Sequence, residues 1–204
     1  MLWHTLHVNE ALEIHDEVTE KTYDDIRSAL VEAVQKTHPP YGEIEGSLKP
    51  VYEYMKSFKT VIDLSYDLIV YWAMLAGNAE YGNWFKDCFV NGTFRYEDWA
   101  TFYEPYGADG ATLVFYPHGN LVLASGLKVG DVKLVRKVEF ENLLDRIVSR
   151  WRSGNALPLF VSEGDSSQKR NAILRSGYLS TVYNAVNHSP STVERFLEVR
   201  RGDR

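Results

Sequence analysis

The feature that most constrains this chain is the stretch Tyr66-Asp67-Leu68-Ile69-Val70-Tyr71-Trp72-Ala73-Met74-Leu75, which is apolar on nearly every side when wound as a helix. A surface helix keeps a polar face, so a helix without one belongs at the centre of a domain. The sequence therefore predicts a buried helix opening just after Ser65, with other elements packed around it. Thr60 to Leu64, directly before, reads as a short buried strand.

The remaining pattern alternates helices and strands. Apolar residues at three- and four-residue steps predict a helix from Asn9 to about Thr37, ended by Pro39 and Pro40. Ser47 is placed to cap a second helix bearing Val51, Tyr54, Met55 and Phe58, with Pro50 in its first turn. Thr112–Tyr116, Asn120–Ala124, Val132–Val135 and Leu157–Val161 read as strands. Helices are expected over Glu139–Arg152, from Ser166 or Ser167 onward, and over Tyr178–Val186. Between Gly77 and Gly110 the chain is rich in Gly, Asn and aromatics and reads as an irregular insertion folded over the core. Strands separated by helices predict an α/β fold, partly Rossmann-like, with a mostly parallel sheet flanked by helices and an antiparallel meander within residues 112–135.

Length and charge narrow the class further. The 204 residues fit a single domain, which should bury roughly 70% of the surface that its unfolded form exposes. A net charge of −6 disfavours nucleic acid as a partner, because non-specific affinity for it comes from Lys and Arg neutralising phosphates. No apolar run approaches the ~20 residues of a membrane span, so no membrane partner is expected. Met1-Leu2-Trp3-His4-Thr5 does not open an export signal, and Cys88 is the single cysteine, which excludes an internal disulfide and a thiolate zinc site. The expectation is a cytoplasmic protein without zinc.

In an open parallel sheet, ligands bind outside the carboxyl ends of the strands. Three loops meet that description: Ser65 to Asp67, Pro117 to Asn120, and Ser162 to Ser167. They carry a hydroxyl with a carboxylate, an imidazole beside a glycine, and Glu163 with Asp165 ahead of a helix. Their convergence at one sheet edge would build a cleft.

Within these loops, Asp63-Leu64-Ser65-Tyr66-Asp67-Leu68 is similar to the Thr-x-Asn-Tyr-Asp-Leu motif of bacterial sirtuin-like domains, and Tyr116-Pro117-His118-Gly119 resembles the histidine-glycine motif that follows it there. Pro158-Leu159-Phe160-Val161-Ser162-Glu163-Gly164, with Ser167-Gln168-Lys169 and Ser176-Gly177-Tyr178-Leu179, resembles one bacterial branch of that superfamily. The similarity spans residues 23–186, and 187–204 form a divergent polar tail. The resemblance implies a sirtuin-like domain in which NAD is the substrate, cleaved between nicotinamide and ribose. It implies catalytic roles for His118, as base, and Asp67, which would hold the ribose, with Ser65, Tyr66, Gly119 and Glu163 around the cofactor. An imidazole and a carboxylate suit that reaction, which needs a proton acceptor and a polar cradle for an oxocarbenium-like sugar.

The pattern also departs from that family. Ser65 stands where the motif has asparagine, and a hydroxyl lacks the amide's separate donor and acceptor. Nothing before Thr60 reads as a strand with a glycine-rich phosphate loop, and no Gly-x-Ser loop follows Val186. The expectation is a degenerate or truncated relative of NAD-hydrolysing defence proteins of bacterial or phage origin. Two alternatives stand beside it: an active NAD glycohydrolase using Asp67 and His118, and a non-catalytic regulatory module that pairs with a second copy or a full-length relative through exposed sheet edges. Plainer readings hold elsewhere. His4 and His7 lack an evident third metal ligand, His15 lies on a solvated face, and Cys88 is a buried inert thiol. Glu163, Asp165 and Lys169 form a common helix-start pattern, not a nuclease site.

Overall fold

The computed structural model describes residues 5, 8–9, 11–126, 130–134, 143–152, 157–161 and 165–188. The first long helix, α1 (Glu17–Thr37), starts later than its apolar periodicity suggests. Glu13 takes a left-handed φ of 55°, which breaks the helix, and Asp16 restarts it by accepting from the Thr19 amide at 3.1 Å. Two short pieces follow, α2 (Tyr41–Ile44) and α3 (Leu48–Met55), joined by a 3₁₀ turn at Glu45–Ser47. Ser47 makes no capping hydrogen bond with its side chain, so the expected cap is absent there.

Next come β1 (Thr60–Ile62) and α4 (Ile69–Tyr81), the helix expected at the centre. It is central, with Tyr71, Trp72, Ala73, Met74 and Gly77 all buried. Trp72 is 1% exposed and packs edge-on against His38 and Tyr41. A fully buried side chain of this size contributes about 3 kcal/mol by area alone. Gly77 sits where α4 touches β2 (Phe85–Lys86), and a Cβ there would lie 2.4 Å from the Phe85 ring.

The strands form two sheets. β1, β5 (Thr112–Phe115) and β2 make a parallel sheet in the order β1-β5-β2, with Val61 opposite Val114 and Phe85 opposite Thr112. β3 (Phe89–Val90), β4 (Thr93–Phe94), β6 (Gly119–Gly126), β7 (Gly130–Lys133) and β8 (Leu157–Phe160) make an antiparallel one, in the order β3-β4-β7-β6-β8. The helices α5 (Leu143–Arg152), α6 (Ser166–Leu174) and α7 (Gly177–His188) complete the described residues.

The fold is α/β, but its pairing is not mostly parallel. Among the described residues two strand pairs run parallel and four antiparallel. The β6–β7 pair, separated by residues 127–129 alone, is antiparallel as expected within 112–135, because so short a connection allows no parallel crossover. The departures are β8, which lies antiparallel on β6, and β3 and β4, which extend the same sheet from β7. The aromatic segment 77–110 also differs from expectation. It packs against the core through Trp84, Trp99 and Phe102, but it is not irregular throughout, because it supplies β2, an edge of the parallel sheet, along with β3 and β4. Asn78 holds β2 in place, accepting from the Phe85 amide at 2.7 Å and donating to the Phe85 carbonyl at 2.8 Å.

Candidate functional site

Asp63 is the first residue beyond β1, and its amide extends the ladder by donating to the Phe115 carbonyl at 2.9 Å. Its side chain turns back on the loop. Oδ1 accepts from the Ser65 amide at 2.9 Å, while Oδ2 is buried with no hydrogen-bond partner among the described residues. Two residues on, the pattern repeats with a different outcome. Oδ1 of Asp67 accepts from the Ile69 amide at 2.8 Å, and Oδ2 accepts from the Ser65 hydroxyl. The first amides of a helix have no internal acceptor, and Asp67, one residue before the N-cap Leu68, supplies one for Ile69. The Leu68 amide donates to Nε2 of His38 at 2.8 Å, and the other ring nitrogen of His38 lies 2.8 Å from the Pro39 carbonyl. Nδ1 therefore carries the proton, and the neutral ring serves as a second acceptor for the start of α4.

The loops expected to converge are joined by hydrogen bonds. Asn120 is fully buried, donates to the Asp67 carbonyl at 2.6 Å and accepts from the Val122 amide at 3.1 Å. The Leu121 amide donates to the Tyr66 carbonyl at 3.1 Å. The Tyr66 hydroxyl donates to the Val161 carbonyl at 2.7 Å, with its ring edge-on to Phe160 at 4.9 Å. Val161 in turn donates to the His118 carbonyl at 2.9 Å. Ser65, Tyr66, Asp67, His118 and Gly119 thus gather at the carboxyl ends of β1 and β5, where β8 ends. Glu163 lies outside the described residues.

Gly119 is required by geometry. Its φ is +86°, and a Cβ there would stand 1.6 Å from the Leu159 carbonyl oxygen, across the β6–β8 pair. His118, half-buried, makes no hydrogen bond through its ring among the described residues.

Electrostatics single out a residue that sequence reasoning passed over. Burial raises the Asp63 carboxyl to about 6, against the lowering effect of the Ser65 amide, and the Asp67 charge raises it further. A carboxyl titrating there, with one oxygen unpartnered, can hold or release a proton near neutrality. Nearby, the Tyr116 hydroxyl is buried without a partner and held well above its ordinary value by burial, then by the charges of Asp87 and Asp63. The sequence signal for Asp63 was available, since it opens the quoted motif at the end of a strand. Asn120 follows the histidine-glycine pair directly. His38 had no such signal, because it reaches α4 from 30 residues away.

His15 is exposed, 3.7 Å from Glu20. Cys88 is buried, and burial pushes its thiol up, then the Asp87 charge. Asp165 starts α6, its carbonyl accepting from the Lys169 amide at 3.0 Å. His4 and His7 lie outside the described residues. Among the described residues no three of His, Cys, Asp and Glu form a metal-holding group, and no helix is long and apolar enough to cross a membrane.

Fold and site together define an α/β domain with a hydrogen-bonded polar cluster where a parallel sheet hands over to an antiparallel one. The chain belongs to the family described as Domain of unknown function (DUF4917), whose model matches residues 1–195. No curated protein and no solved structure matches it.

Proposed function

We propose that this chain is a sirtuin-like α/β domain, related to NAD-hydrolysing defence proteins of bacteria or phage, that does not hydrolyse NAD by itself and acts as a regulatory or partner-binding module. The observation that carries the reading is the state of Asp67. Both of its carboxylate oxygens are engaged, by Ile69 and Ser65, and its carbonyl is held by Asn120. A group committed to the start of α4 is poorly placed to grip a ribose. Ser65, at the position of the motif's asparagine, spends its hydroxyl on the same carboxylate.

A second reading is favoured by one specific observation. The His118 ring is without a hydrogen-bond partner among the described residues, and Asp63 offers an unpartnered oxygen on a carboxyl raised to about 6. In an active NAD glycohydrolase, His118 would act as base and Asp63, in place of Asp67, as the titrating carboxylate.

Incubation of the purified protein with NAD separates the two, with nicotinamide release followed over time and His118→Ala as control. The expected result is release no faster than in the control. Release that disappears with His118→Ala establishes the enzyme and removes the first reading.

A further inference from the structure

A cavity of about 530 Å³ lies away from the Asp67 and His118 cluster, between α4, the chain leaving β2, and the segment Thr101–Tyr106. That volume is in the range of small-molecule sites. Its apolar walls come from Met74, Leu75, Phe85, Phe89 and Phe102, with Tyr106 among its lining residues. The polar groups are concentrated at the carboxyl end of β2, an edge strand of the parallel sheet, which is where such sheets take ligands.

Asp87, directly after β2, is buried and fixed at both oxygens. Oδ1 accepts from the Phe89 amide at 3.1 Å, and Oδ2 accepts from Lys133 at 2.6 Å. The Lys133 ammonium also lies 5.8 Å from the ring centres of Tyr71 and Phe89. An ammonium has three donors, and among the described residues Lys133 directs a hydrogen bond to Asp87 alone. Lys86 lines the same cavity and donates to the Glu104 carbonyl at 2.6 Å, which leaves it donors to spare. Lys86 and Lys133 both line the pocket with Cys88, and both charges lower its thiol against the larger effect of burial. Desolvation by burial lowers the Lys86 ammonium, so an anion beside it would recover the lost solvation. Cys88 holds a left-handed φ of 62°, and such strain in a residue other than glycine is concentrated at binding sites.

We infer that this cavity binds a small monocarboxylate with an aromatic or branched aliphatic body, its carboxylate held by Lys86 and Lys133 and its body against the Phe85, Phe89 and Phe102 wall. The inference does not depend on the reading of the NAD-related cluster.

Calorimetric titration of the full chain with phenylacetate, 4-methylpentanoate and the neutral isostere phenylacetamide tests it, on wild type, Lys86→Gln and Lys86→Arg. At least one carboxylate is expected to bind with 1:1 stoichiometry and a Kd below ~1 mM, about tenfold tighter than the amide. Lys86→Gln should weaken that binding about tenfold at an unchanged melting temperature, and Lys86→Arg should retain it. The inference is overturned if neither carboxylate binds below ~10 mM, if the amide binds equally well, or if Lys86→Gln leaves the affinity intact. Lys133 is left unaltered, because removing it would strand the buried Asp87 charge.

Discussion

A carboxyl with a sealed, unpartnered oxygen couples stability to pH, and Asp63 is such a group. Its folded-state value of about 6 lies above the ordinary carboxylate value near 4, so between those values the folded protein binds more protons than the unfolded chain. The stability it contributes is complete below about pH 4 and is lost as pH rises through about 6. Asp63→Asn keeps an acceptor for the Ser65 amide and removes the buried charge. Urea unfolding across a pH series should therefore show the variant about 1–2 kcal/mol more stable than wild type at pH 8, with the difference fading toward pH 4. Gly119→Ala should behave in the opposite sense. It places a Cβ against the Leu159 carbonyl at a left-handed φ, so a loss of about 3 kcal/mol or more, or failure to fold, is expected by thermal melting. Both residues were legible as letters of a motif, since a carboxylate ends β1 and a glycine follows a histidine. What the sequence could not show is burial. The environment of Asp63 is made by β5, more than fifty residues later, and the clash at Gly119 comes from β8.

At the scale of elements, α4 depends on groups brought from outside it. Asp67 accepts from the Ile69 amide and His38 from the Leu68 amide, which together satisfy donors that a buried helix start cannot leave to water. His38→Ala should lower the unfolding free energy by about 1–2 kcal/mol, read by urea denaturation. His38→Gln, which keeps an acceptor, should recover part of that loss. Helix α4 itself was legible because ten largely apolar residues admit few alternatives, and α5 because Leu143, Ile147, Val148 and Trp151 keep a helical step. The strands β2, β3 and β4 were not. Each spans two residues, shorter than any alternation can register; β2 is held by Asn78 and β5, β4 by β7, and β3 by the neighbouring β4. The mostly parallel expectation failed because β8 lies antiparallel on β6 and β4 antiparallel on β7, pairings between strands far apart in the chain that the alternation of helices and strands does not report.

At the scale of the whole molecule, the parallel and antiparallel sheets meet at Tyr116–Asn120, and α4 packs into the core beside them. Those parts are fastened together through Tyr66, Asp67, Asn120 and Val161. On the proposed reading this polar cluster holds the molecule together, and Asp67 serves the start of α4. Residues kept for binding or catalysis commonly cost stability, and replacing them leaves a protein as stable or more so. Residues that accept from the first amides of a helix do the reverse. The most direct measurement is the unfolding free energy of Asp67→Ala against wild type by urea denaturation near neutral pH. A loss of about 1–2 kcal/mol with an unchanged denaturant slope is predicted. A variant as stable as wild type, or more stable, would contradict the account and return Asp67 to the list of functional groups.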